Sequence, residues 1–154
     1  MTAIAEKALV HAPLASASGF LEAFFADRAA PQGEGARVIL RAGNAGHAAI
    51  LTLKPAHRPE DMTPRYRVHC EADGSGPYPT YDGELSIGAD VDYDAFWLVL
   101  EGAYAPPGGP AGKIFDVVAG RAIAAAAARG LLAQIRAEIE VLFSAQERAK
   151  VSAN

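Results

Sequence analysis

The spacing of apolar positions changes period along this chain, and each change predicts a new element. Residues 6–12, EKALVHA, read as a first strand ended by Pro13. In LASASGFLEAFFADR (14–28), Ala17, Phe20, Leu21, Phe24 and Phe25 recur at helical spacing, and Ser16 or Ser18 is placed to cap the helix start. One proline and two glycines in APQGEGA (30–36) break it.

From there the period becomes two. ARVILRA (36–42) and HAAILTLK (47–54) read as strands joined by the turn-rich GNAG. RYRVHCE (65–71) sets Tyr66, Val68 and Cys70 against Arg65, Arg67, His69 and Glu71. YDGELSI (81–87) sets Tyr81, Leu85 and Ile87 against Asp82, Glu84 and Ser86. Each of these strands therefore has one dry and one wet face. Phe96, Trp97, Leu98, Val99 and Leu100 are apolar on both faces, which places that strand centrally or beneath a cover on both sides.

The longest pattern is helical, from about 112 to 148. At 100° per residue, Ile114, Val117, Arg121, Ala128, Leu132, Ile135, Ile139 and Leu142 fall on one side. Burying each large aliphatic chain there is worth about 1.5–3 kcal/mol, enough for this face to anchor a domain. Ahead of it, EGAYAPPGGPAGKIFD (101–116) is read as a corner. Pro106 and Pro107 stop the strand because they cannot donate to its ladder, and Pro110 suits a first helical turn. Gly108, Gly109 and Gly112 let the backbone bend and approach the sheet.

Strand, helix, a run of strands without helical crossovers and a terminal helix imply an antiparallel sheet and the α+β class. With 154 residues and neither an internal repeat nor a linker, the chain is read as one domain, residues 1–154.

LVLEGAYAPPGGPAGKIFDVVAGRAIAAAAARGLLAQI (98–135) resembles the START-related SRPBCC superfamily, which includes pollen-allergen-like and polyketide cyclase/dehydrase-like proteins. The glycine- and proline-rich corner and the Ala-rich helix carrying LL hold the resemblance, and the order of elements extends it over most of the chain. It implies a helix-grip fold: a curved antiparallel sheet of six to seven strands wrapped around the long C-terminal helix, with a cavity between them. Six strands are counted in this sequence, against seven typical of the family, and one early helix against two.

A cavity of that kind implies a small hydrophobic ligand such as a lipid or polyketide, with Arg121, Tyr66, Tyr81, Leu85, Leu98, Tyr104 and Phe115 as its candidate contacts. Two readings of Arg121 stand: it reaches into the cavity to hold an anionic or carbonyl group, or it is satisfied by Glu101, Asp116 or the sheet edge. The tyrosines likewise either orient a ligand or complete the core with one satisfied tip. Phe24, Phe96, Trp97 and Phe115 are bulky enough to plug the space. Two alternatives share this frame: a cyclase or dehydratase working in the cavity, and a dimerising adaptor whose interior is filled. The second draws on AIAAAAARG (122–130), where Ile123, Ala127, Gly130 and Ala137 lie opposite the main apolar face and offer a flank to a homodimer partner.

Composition narrows the classes. A net charge of −4 with scattered Lys and Arg, and no basic stripe, argues against nucleic acid. A single cysteine, Cys70, excludes an internal disulfide and fits a reducing compartment. The start lacks a secretory pattern and no apolar run approaches about 18 residues, so a soluble, cytoplasmic protein without stable membrane insertion is expected. His11, His47, His57 and His69 lack metal-ligand spacing, His69 alternates outward, and the glycine-rich stretches lack the Lys-Ser/Thr ending of a phosphate loop. No cofactor or metal is expected, and no catalytic residue is identified.

Overall fold

A computed structural model describes residues 2–30, 33, 35–42, 45–74, 79–105 and 117–153. Six strands, β1 (Thr2–Val10), β2 (Ala36–Ala42), β3 (Ala45–Pro55), β4 (Arg65–Ala72), β5 (Thr80–Ala89) and β6 (Phe96–Ala105), form one sheet in the order β1-β6-β5-β4-β3-β2. Every neighbouring pair is antiparallel. A short 3-10 turn (Leu14–Ser16) and helix α1 (Ala17–Asp27) connect β1 to β2, and helix α2 (Val117–Ser152) follows β6.

The sheet curls. Six strands spaced about 4.8 Å apart span about 24 Å when flat, more than twice the width of a helix. Yet α2 packs closely on both outermost strands, β1 and β2, and only lightly on β6. One helix can touch both rims only if the sheet bends into a trough with the helix in its mouth. This is the helix-grip arrangement, α+β in class.

Polar contacts stitch α2 into place along its length. Arg129 bonds Glu6 of β1 at 3.0 Å, and Gln134 donates to the Ile39 carbonyl on the open edge of β2 at 2.6 Å. Glu138 meets Arg28 beyond α1 at 3.4 Å, and Glu140 accepts from the His11 backbone at 3.1 Å. Arg28 also donates to the Phe24 carbonyl and lies over the Phe24 ring, satisfying the end of α1. Between these contacts Ala128, Leu131, Leu132, Ile135 and Ile139 are buried with Phe20, Leu21 and Phe24 of α1 and the inward side chains of the strands in one core.

Several boundaries differ from the sequence reading. β1 occupies residues 2–10 rather than 6–12, because its ladder with β6 runs from Thr2–Tyr104 to Val10–Phe96 while only alternate residues turn inward. Ser16 occupies the cap position of α1, but neither it nor another side chain caps that helix; the 3-10 turn already winds the backbone before α1 begins. α2 continues to Ser152. The expected roles of Pro106, Pro107, Gly108, Gly109, Pro110 and Gly112, and the placement of Ile114 and Phe115, lie outside the described residues.

On the small-residue flank of α2, Gly130 has a structural reason. A β-carbon at Gly130 would stand 3.3 Å from the Arg41 carbonyl oxygen, so the helix is drawn tightly against the β2 rim there. Ile123 and Val141, on the same flank but nearer the helix ends, are 50% and 63% exposed.

Candidate functional site

The strand registers set out the floor of the trough. Strand alternation and pairing place Leu51, Cys70, Tyr81 and Tyr104 side by side in one row across β3, β4, β5 and β6. The next inward row holds Leu53, Val68, Gly83, Gly102 and Ile4, and the one after it Tyr66, Leu85, Leu100 and Glu6. Ile87 and Leu98 extend the floor further. Among the described side chains turned inward from the six strands none is Lys or Arg, and the carboxylate among them, Glu6, is held by Arg129. α2 presents Ala128, Leu132, Ile135 and Ile139 across from them.

Of the residues singled out from sequence, Tyr66, Leu85, Leu98 and Tyr104 are buried on this inner face, and Tyr81 lies there half-buried. Tyr81 and Tyr104 are direct neighbours, as are Tyr66 and Leu85. Arg121 is not on the buried stripe of α2; it is exposed in the helix's early turns, and from residue 121 onward the first buried position is Ala128. The helical projection placed it on the stripe because the angle alone does not say where along its length α2 meets the sheet.

Two floor residues carry shifted ionisations. Burial pushes the Cys70 thiol up to about 11, with Glu71 adding to the effect. Burial pushes the Tyr81 hydroxyl up to about 12, reinforced by the negative charge of Glu101. Both groups are therefore protonated at neutral pH. The Tyr81 hydroxyl oxygen is buried and has no hydrogen-bond partner among the described residues.

Gly83 and Gly102 face each other directly in the ladder. A β-carbon on Gly83 would collide with the Glu101 carbonyl oxygen and reach 2.7 Å from the Tyr81 hydroxyl; one on Gly102 would collide with the Asp82 carbonyl oxygen and reach 2.8 Å from the same hydroxyl. Bare backbone at these two positions makes room for the tip of Tyr81. Two isolated glycines inside strand patterns were the sequence signal for such a close approach, but nothing in the sequence paired them.

A hollow of about 560 Å³ opens along the free edge of β3, where that strand runs beyond β2, and draws its lining from both faces of the strand. Phe25 and Ala26 of α1, Gly35, Ala36, Leu51, Thr52, Leu53 and Lys54 line it. Its volume falls in the range of small-molecule pockets, and its wall Leu51 begins the row that leads to Cys70 and Tyr81. Leu53 and Phe25 were not singled out from sequence, because their convergence depends on how α1 crosses the end of the sheet.

The opposite, convex face is charged. Arg65 bonds Glu84 at 2.6 Å, and its Nε lies 3.5 Å from Asp61, an ion-pair distance without hydrogen-bond geometry. The Glu84 hydrogen bond holds Arg65 more firmly protonated than usual. His69 meets Asp82 at 2.7 Å and Glu71 at 3.7 Å, and its pKa is raised, chiefly by the Asp82 hydrogen bond. A hollow of about 480 Å³ on this side is lined by Arg65, Arg67, Asp82, Glu84 and Glu101 with the two glycines. Alternating charges on a solvated face account for this ladder. Among the described residues no group of His, Cys, Asp and Glu has metal-site geometry, and no helix is long and apolar enough to cross a membrane.

These features define a helix-grip protein with an apolar trough. No family model matches the chain, and no curated protein matches it. Among solved structures it is similar to that of DynU16, a protein of the dynemicin biosynthetic locus, at 18% identity and a TM-score of 0.38. The match covers 81% of this chain and 45% of that one, so this chain spans less than half of its length.

Proposed function

We propose that the protein binds a small hydrophobic ligand between the sheet and α2, as the resemblance to START-related proteins implies. The observation that carries this reading is the hollow at the β3 edge, walled on its inner side by Phe25, Leu51 and Leu53, with Leu51 in register with Cys70 and Tyr81 of the floor. A cavity of this type takes most of its affinity from apolar contact and its orientation from a few polar points, here Tyr81, Tyr104 and Tyr66. Leu85 and Leu98 supply floor contacts. Arg121, exposed on α2, is assigned to the outside of the pocket.

Binding fits these residues better than turnover. A cyclase or dehydratase needs a base within reach of its substrate. Of the titratable groups turned inward, Cys70 and Tyr81 are held protonated by burial, Glu6 is engaged by Arg129, and His47 lies beyond the end of the β3–β4 ladder, away from the tyrosines. The test is native mass spectrometry of protein purified without denaturant, followed by displacement with a fluorescent apolar probe. A co-purifying molecule or saturable probe binding that Leu53→Glu abolishes supports the reading. Absence of both in a folded protein overturns it.

A further inference from the structure

Resting on that reading, we propose that the Tyr81 hydroxyl is the polar anchor of the site and selects a neutral ligand bearing a carbonyl or equivalent acceptor. A buried hydroxyl without a partner forfeits its hydrogen bond to water, and such groups are rare unless something completes them. Here the fold goes out of its way to accommodate one. Gly83 and Gly102, opposite each other on adjacent strands, leave bare backbone where a methyl group on either would crowd that oxygen. Its register neighbours, Cys70 and Tyr104, flank it on the same row.

The charge pattern specifies the acceptor. No unpaired cation faces the floor from the described strands, and the nearest inward carboxylate row ends in the Glu6–Arg129 pair. Glu101 stands on the other side of the thin sheet, beside the glycine pair, and its negative charge acts on Tyr81. An anionic head group brought to that hydroxyl would meet the repulsion of Glu101, and among the described strand residues no Lys or Arg faces it from the floor. A ketone, quinone or ester oxygen accepts the same hydrogen bond without that cost. Leu51, on the wall of the hollow, lies two strands from Tyr81, about 10 Å at ordinary strand spacing. A ligand reaching the hydroxyl from the hollow must part the buried side chains of Leu51 and Cys70.

A matched pair of naphthalene fluorophores tests this: 6-propionyl-2-dimethylaminonaphthalene and its 6-propyl analogue, which lacks the carbonyl. Wild-type protein should bind the ketone more tightly, with the red-shifted emission of a hydrogen-bonded carbonyl. Tyr81→Phe should weaken ketone binding about fivefold, the worth of one neutral hydrogen bond, and leave the propyl analogue unchanged. Equal affinities of wild type and Tyr81→Phe for the ketone overturn the anchor while leaving the trough as a binding site. Failure of both probes to bind the wild type removes the binding reading and the anchor with it. Thermal melting of the ligand-free proteins is the second measurement. Tyr81→Phe should melt no lower than wild type, and a clear drop would show that the fold itself uses the hydroxyl, overturning the proposal.

Discussion

The Gly83–Gly102 pair gives the sharpest structural prediction. Replacing Gly83 by Ala places a methyl group against the Glu101 carbonyl oxygen, 2.9 Å from the Gly102 Cα and 2.7 Å from the Tyr81 hydroxyl. Two of these three neighbours are backbone of the adjoining strand, which cannot retreat without opening the β5–β6 ladder. Overpacking in a fixed environment costs about 1–3 kcal/mol, and contacts this short with backbone belong at the upper end. For a chain of this size about 3 kcal/mol lowers the melting temperature by about 6–12 °C. Gly88→Ala is the control: its β-carbon would meet only the Trp97 β-carbon, at 3.6 Å, an ordinary contact, and its melting point should move by no more than a degree or two. Differential scanning calorimetry on the three proteins measures this. A Gly83→Ala variant as stable as wild type refutes the crowding argument. So does full rescue by Tyr81→Phe in the same chain, because it would mean the hydroxyl, and not the neighbouring strand, resists the methyl group.

Three further outcomes follow from the same coordinates. Ile135→Ala, in a fully buried position of α2, should cost about 2–5 kcal/mol by urea unfolding, whereas Val141→Ala on the exposed flank should cost little. Cys70 should react with a thiol reagent at pH 8 no faster than the protein unfolds, because it is buried and its pKa stands at about 11; rapid stoichiometric labelling of native protein would contradict its placement. For His69 the folded protein holds the proton more tightly than the unfolded chain, whose value is near 6.5. Its stabilising contribution is therefore fully present below that pH and lost as pH rises through the higher folded value. Asp82→Asn should flatten this part of the stability–pH curve, and NMR titration of the His69 ring should show its pKa falling.

The sequence alone determined the alternation of faces. Tyr66, Val68 and Cys70 against Arg65, Arg67 and His69, and Leu85 and Ile87 against Asp82 and Glu84, are faithful guides to what is dry and what is wet. The uninterrupted series of strands likewise carried the antiparallel order, since hairpin connections leave no room for crossovers. Period and turn chemistry are local, so one chain suffices to read them.

Tertiary structure decided which local features meet. The pairing of Gly83 with Gly102, the convergence of Phe25 and Leu53 on one hollow and the bond between Glu6 and Arg129 depend on strand register and on where α2 crosses the rims. Arg121 shows the limit plainly: its angle around the helix matched the buried stripe, but burial also depends on distance along the axis, and Arg121 is exposed where Ala128, Leu132 and Ile135 are buried. Gly130 adds a second case, because its close approach to the β2 rim cannot be read from the helical pattern around it. A periodic pattern fixes direction around an element; the position at which another element meets it is set by packing among segments far apart in the chain.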